Sequence, residues 1–176
     1  VNMGGGHYQY TFPATAALPA TATGTWAVGI EARRVEFVPA SSLAPTARLI
    51  NHGVNNPVRY FSVDSSPVVP RRQIIEAGRC NGCHQQVTAH GNNRQNPEYC
   101  VLCHNSRGVD NRSAANGGPQ SIEFQSMIHR IHMGADLPTV RAGGRALYWG
   151  SATSSADFST VHFPQPVSNC SACHAT

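Results

Sequence analysis

Cys80-Asn81-Gly82-Cys83-His84 is a five-residue stretch that returns twice, as Cys100-Val101-Leu102-Cys103-His104 and as Cys170-Ser171-Ala172-Cys173-His174. Two cysteines with two residues between them put both sulfurs on one side of a short turn, and a histidine directly after the second is the attachment signature of c-type haem. Each sulfur bonds one vinyl-derived carbon of the porphyrin, and the adjacent imidazole becomes an axial ligand of the iron. The three repeats predict three covalently attached haem c groups. Cys80, Cys83, Cys100, Cys103, Cys170 and Cys173 would be the anchors, and His84, His104 and His174 the proximal iron ligands.

Structural zinc also uses paired Cys-x-x-Cys, but it needs no histidine at the following position. Only nine of the 176 residues are His. Chance would place one after all three cysteine pairs on the order of once in 10⁴ chains of this composition. All six cysteines lie inside the motifs, which leaves none for a disulfide framework.

Composition narrows the class further. Hydrophobic residues make up 40% of the chain, somewhat low for a protein core, and porphyrins would supply the missing apolar surface. No run of 18 apolar residues exists, so no transmembrane helix is expected. The chain begins Val1-Asn2-Met3, which reads as a mature product or a fragment with no signal peptide and no cysteine to carry a lipid. The formal charge is +4, and every one of the 13 basic residues is Arg. Six propionates would bring the holoprotein to roughly −2 when reduced and roughly +1 when ferric, so much of the arginine is expected to face propionates rather than nucleic acid. The basic residues are scattered, without the stripe that nucleic-acid binding requires.

Residues 1–63 read as β structure. Tyr8, Tyr10 and Phe12 alternate with polar neighbours, as do Trp26, Val28, Ile30 and Ala32, the pattern of half-buried strands. The phase slips before Val35 and Phe37, which predicts a bulge or strand break at Arg33-Arg34. Val58 to Val63 is another extended run. Several short strands with turn signals predict a small β-sandwich-like domain or the tail of one. Residues 64–72, with two prolines and two serines, read as a linker. Residues 73–176 read as a mainly irregular multihaem cytochrome c domain with few short helices. Asn105 to Gln120 is expected to be a loop, and Gly134 to Asn169 mostly irregular with one hairpin.

One helix stands out, with Ser121 as N-cap, Glu123 in the first turn and Gly134 as the stop. Phe124, Ile128 and Ile131 form its apolar face, and His129 and His132 lie three apart beside it. Side chains at that spacing share one side of a helix, about 5–6 Å apart at Cβ. Both cannot approach one iron from opposite porphyrin faces. They would serve two haems held close together, or one would ligate while the other meets a propionate. His90 is a further candidate for a distal ligand, with Gly91 permitting close approach of the backbone to a porphyrin. His7 and His52 read as ordinary polar residues and His162 as a reserve ligand. Met127 and Met133 could also ligate iron, although helical Met more often packs.

The order Arg71-Arg72-Gln73-Ile74-Ile75, Arg79 to His84, Ala89-His90-Gly91, Cys100 to Asn105, Met127-Ile128-His129-Arg130-Ile131-His132, and Phe163-Pro164 leading to Asn169 to His174 carries a resemblance. It resembles the extracellular decahaem cytochromes of metal-respiring bacteria, the OmcA/MtrC family. The likeness covers roughly residues 55–175 and, more weakly, 23–33. It implies the tail of a β domain followed by the first three haems of a five-haem domain. It also implies bis-His ligation throughout, with His90, His129 and His132 as the distal ligands, and a location at the cell surface. Family members carry about ten haems, whereas this chain ends two residues after its third motif. It would be a piece of a longer protein, or a small relative that stacks its terminal haems against neighbouring copies.

Three functions fit these residues. A passive electron carrier would have both axial positions of every iron closed, with other cytochromes, copies of itself or an extracellular metal oxide as partners. A reductase of nitrite, hydroxylamine or a sulfur oxyanion would need one open iron and acid/base groups beside it. A docking role for the β segment, by strand addition, would supplement either one. Covalent haem attachment places the protein outside the cytoplasm, at the periplasm or the surface.

Overall fold

The computed structural model describes residues 1–111, 119–150 and 153–174. It is built from small strands and a few helices, and the described residues form no barrel. By contact the chain divides into two compact units, Val1–Trp26 with Tyr60–Pro70 and Ala27–Arg59 with Arg71–Thr176. The described strands pair two by two, and no larger sheet forms among the described residues.

In the first unit, β1 (Asn2–Gly4) and β2 (His7–Tyr8) form an antiparallel hairpin. The N-terminal ammonium closes it by donating to the Gln9 carbonyl at 2.6 Å. The alternation that predicts a half-buried strand through Phe12 fails here. The strand stops at Tyr8, and Tyr8, Tyr10 and Phe12 are all exposed. Tyr10 and Phe12 instead meet edge to face with centroids 5.2 Å apart. Asp64 opens the Pro/Ser-rich stretch as a turn, accepting from the Gly24 and Ser66 amides at 2.8 and 3.1 Å. The Ser66 side chain, then these two amides, hold its carboxyl well below the usual carboxylate range.

Two strands, β3 (Thr25–Gly29) and β6 (Val58–Ser62), pair with each other. Trp26 and Ile30 are exposed, so the period-two pattern here does not mark a face buried within this chain. In the second unit β4 (Arg33–Val38) pairs in unbroken antiparallel register with β5 (Arg48–Gly53), from Arg33 opposite Gly53 to Val38 opposite Arg48. The expected irregularity at Arg33-Arg34 is therefore displaced. The break falls at residues 30–32, between β3 and β4, and both arginines lie in regular ladder.

Within the second unit, a buried amide helps tie residues 27–59 to the rest. Asn56 has no exposed surface. Its Nδ2 donates to the Asn93 carbonyl at 2.9 Å, and its Oδ1 accepts from the Gln95 amide at 2.8 Å. Its own carbonyl accepts from Asn96 Nδ2 at 2.9 Å. These bonds match every polar group of the side chain that burial strips of water.

The helices are α1 (Ala77–His84), α2 (Pro97–Cys103), α3 (Phe124–Met133) and the single-turn α4 (Pro138–Arg141). The start of α3 differs from the expected Ser121 cap. Glu123 is the N-cap, accepting from the Ser126 amide at 2.9 Å, while Ser121 accepts from the Glu123 amide just ahead of it. A carboxylate at this position also suits the positive end of the helix dipole. Gly134 ends α3 at φ 38°, and its amide donates to the Arg130 carbonyl. Short strands frame α3, with β7 (Val109–Asp110) pairing β8 (Gln120–Ser121) and β9 (Leu147–Trp149) pairing β10 (Ser155–Asp157). The β9–β10 pair is the hairpin expected between 134 and 169. Part of the loop expected from Asn105 to Gln120, residues 112–118, lies outside the described residues. Buried apolar side chains among the described residues are Val58, Leu137, Ala146, Leu147 and Tyr148, a small core for a chain of this length.

Candidate functional site

The second unit encloses a cavity of about 1470 Å³, walled on one side by α3 and bordered by residues of all three cysteine motifs. A single small-molecule pocket usually spans about 300–1,000 Å³, so this space suits more than one group of that size. Ile75, Val87, Ile122, Phe124, Ile128 and Ile131 are among the apolar side chains facing it.

Each motif sits on a short helical turn. The first forms the end of α1. The second forms α2, which Asn96 caps by accepting from the Glu98 amide at 3.0 Å, with Pro97 at the first helical position. Proline is favoured there because its missing N–H would have no helical partner. The third lies in the 3₁₀ turn Cys170–Ala172. Arg79 Nη1 donates to the Ser171 carbonyl at 2.9 Å and brings the first and third motifs together. The second motif is tied to the entry of α3, where the Phe124 amide donates to the His104 carbonyl at 3.0 Å. Burial pushes the Cys80 and Cys100 thiols up, which keeps them protonated.

The histidines come together in twos. His84 faces His132 with ring centroids 5.9 Å apart, His104 faces His90 at 6.1 Å, and His174 faces His129 at 6.0 Å. Every histidine that follows a cysteine pair thus has one opposite number, and His90, His129 and His132 are those three. Two imidazoles bound through nitrogen on opposite sides of one metal ion, at ~2 Å each, have ring centres about 6 Å apart. Both ring planes then contain the metal–nitrogen axis, so the angle between them is free. It is 79° for His84/His132, 38° for His90/His104 and 36° for His129/His174.

Hydrogen bonding fixes the tautomer of two of these rings. His104 Nδ1 donates to the Ile122 carbonyl at 2.8 Å, and His132 Nδ1 to the Ile128 carbonyl at 2.9 Å. A carbonyl only accepts, so the proton is on Nδ1 and the Nε2 lone pair is free to ligate. His90 is held below its ordinary pKa by burial first, then by the positive charge of Arg94. That favours the neutral ring, the form that binds metal.

The loop that carries His90 is strained and braced. His90, Gly91 and Asn92 have φ of 52°, 71° and 67°, a region that costs a non-glycine residue about 1–2 kcal/mol. Asn93 Nδ2 donates to the His90 carbonyl at 3.0 Å, Asn56 holds Asn93 from the other side, and Arg94 pairs with Glu31 at 2.7 Å. A Cβ on Gly53, at the end of β5, would overlap the Asn92 carbonyl. Sequence reasoning gave no chemistry to residues 27–59, yet Glu31, Gly53 and Asn56 hold a ring of the site. Asn55-Asn56-Pro57 is a turn signal, but nothing in it reports burial.

The remaining candidates stand apart from these pairs. His7 is exposed on β2, and His52 pairs with Glu36 at 2.8 Å. His162 and Met127 border the cavity. Among the described residues no group of three or more His, Cys, Asp or Glu converges as a metal cluster, whereas a structural zinc site uses four ligands.

Residues 72–176 match the family model described as outer membrane cytochrome MtrC/MtrF-like, domains II/IV. The chain belongs to this family. The resemblance read from the residues is borne out. No curated protein and no solved structure matches the chain. MtrC/MtrF-like proteins are electron-transfer cytochromes that work in chains with other cytochromes, and membership implies haem c. It also points to an extracytoplasmic or cell-surface location, and no described helix is long and apolar enough to cross a membrane. The residues present fit the group. All three ring pairs stand at ligand separation, the His84/His132 and His90/His104 pairs border the large, mostly apolar cavity, and two of the rings have their outer nitrogens tied back.

Proposed function

We propose that this protein is a tri-haem relay in which each iron is held between two histidines: His84 with His132, His104 with His90, and His174 with His129. The observation that carries the reading is the set of three ring pairs at about 6 Å, each combining one motif histidine with one of His90, His129 and His132. The six cysteines are the thioether anchors. Bound haem supplies one-electron redox chemistry at iron, and the rest is positioning by this chain.

Ligation from both sides leaves no axial position for a substrate, so the protein carries electrons and does not reduce a small molecule at iron. His129 and His132 are three apart on α3, which holds two haems close together. The Arg79–Ser171 bond draws the corresponding first and third motifs side by side. Close spacing is what a relay needs. The haem chemistry resides in 73–176, and residues 27–59 brace it. Electrons would pass to other cytochromes, to copies of this chain or to an extracellular metal oxide at the cell surface.

Carbon monoxide tests the closed coordination. Fully reduced protein with three haems by mass should show no CO-shifted absorption band. Stoichiometric CO binding by one haem of intact protein would sink the relay reading and favour a reductase with an open site.

A further inference from the structure

We propose that Arg130 and Tyr148 form a clamp for one haem propionate. The inference rests on the haem reading above and deepens it. Tyr148 lies in β9, is 9% exposed and lines the cavity. Its hydroxyl is buried with no hydrogen-bond partner, and Arg130 Nε is buried and unpartnered in the same way. The two side chains are neighbours: the Arg130 charge, and a contact between them too poorly aligned to satisfy either atom, oppose the upward push of burial on the Tyr148 phenol.

An orphaned buried hydroxyl is costly, and so is a guanidinium nitrogen shut off from water without a partner. Arg34, Arg94, Arg141 and Arg145 each have a carboxylate partner. Among the described residues Arg130 has none. Both groups can donate and their combined charge is positive, so what satisfies them is an anionic acceptor. A porphyrin brings two carboxylates to this cavity. Arg–carboxylate hydrogen bonds are short and charge-assisted, and a phenol adds a second donor.

The place of Arg130 on α3 agrees. At about 100° per residue it stands roughly 100° around the helix from His129 and 160° from His132. It therefore points away from both ligating directions, a position that suits contact with a propionate and not with iron. Arg130 and Tyr148 are positioning residues. Their charge and hydrogen bond would set the tilt of one porphyrin and raise the potential of its iron.

The test is a spectroelectrochemical titration of the full chain, with haem load and spin state checked in every variant. Arg130→Gln should lower one of the three one-electron couples by about tenfold in its equilibrium, about 59 mV, and leave the other two in place. Tyr148→Phe removes a single oxygen and should move the same couple by less, so it carries the test if Arg130→Gln folds poorly. Arg130→Lys should recover part of the shift. Redox-difference infrared spectra with isotope-labelled propionates should show one carboxylate band displaced in Arg130→Gln. Three unmoved couples in fully loaded, low-spin variants would overturn the clamp and leave the haem reading standing. Equal shifts of all three would overturn it too. A parent protein without three low-spin haems would overturn the haem reading and the clamp with it.

Discussion

Replacing Asn56 with Ala should loosen His90, a proposed haem ligand that lies 34 residues away in sequence. The side chain is fully buried and makes two hydrogen bonds, to the Asn93 carbonyl and from the Gln95 amide. Truncation leaves both backbone groups without their partner. Each orphan costs about 1–3 kcal/mol, and water entering the vacated space offsets part of it. The expected loss is about 2–4 kcal/mol, a large fraction of the ~5–15 kcal/mol that holds a domain together. It falls on the loop that keeps His90, Gly91 and Asn92 at positive φ. Guanidinium unfolding followed by circular dichroism should show a lower midpoint at unchanged slope. The ferric protein should gain a high-spin fraction at one haem, as His90 leaves its iron. A variant within about 0.5 kcal/mol of the parent, the range of an ordinary surface change, with an unaltered spin state would refute this account of the brace.

Gly134→Ala should cost about 2–5 kcal/mol, combining the left-handed penalty with overpacking. The new Cβ would overlap the Val161 carbonyl and lie 2.7 Å from that of Phe158. Thermal melts measure the loss, and a displaced His132 should appear as high-spin iron. His90→Met should keep its haem six-coordinate and raise a single couple, because thioether ligation favours ferrous iron; voltammetry that shows no rise would contradict the pairing of His90 with His104. Asp157 has its pKa lowered to about 2, by the Ser159 side chain first, then the Ser159 amide and Arg145. A depressed carboxyl stabilises the fold above its unfolded pKa, and that contribution disappears as pH falls through the folded value. Asp157→Asn should therefore be less stable than the parent at pH 7, with the difference shrinking from about pH 4 and gone only below about pH 2.

The candidate anchors and ligands stood out in the sequence because the proposed covalent attachment would demand fixed residue types at fixed spacing. The motif histidines and the pair on α3 follow from that spacing and from helical periodicity. Which distal ring faces which motif was not legible, because it depends on packing between segments far apart in sequence. The β segment misled for a related reason. Alternation at Trp26, Val28 and Ile30 fits a strand, but period two says nothing about whether a second layer covers it. Boundaries drawn at 63 and 72 followed composition. The contacts instead draw 27–59 toward 71–176, through side-chain amides at Asn56, Gln95 and Asn96 that leave no periodic trace. At α3 a good capping residue, Ser121, was passed over for Glu123, since Ser121 is held in the β8 ladder.

The most direct test of the central claim is a low-temperature EPR spectrum of the fully oxidised protein, with spins counted against haem. Three low-spin ferric centres per chain are expected. Two, with ring planes 38° and 36° apart, should give ordinary rhombic signals, and the His84/His132 centre at 79° a much more anisotropic one. A stoichiometric high-spin iron, or fewer than three haems per intact chain, would contradict the account.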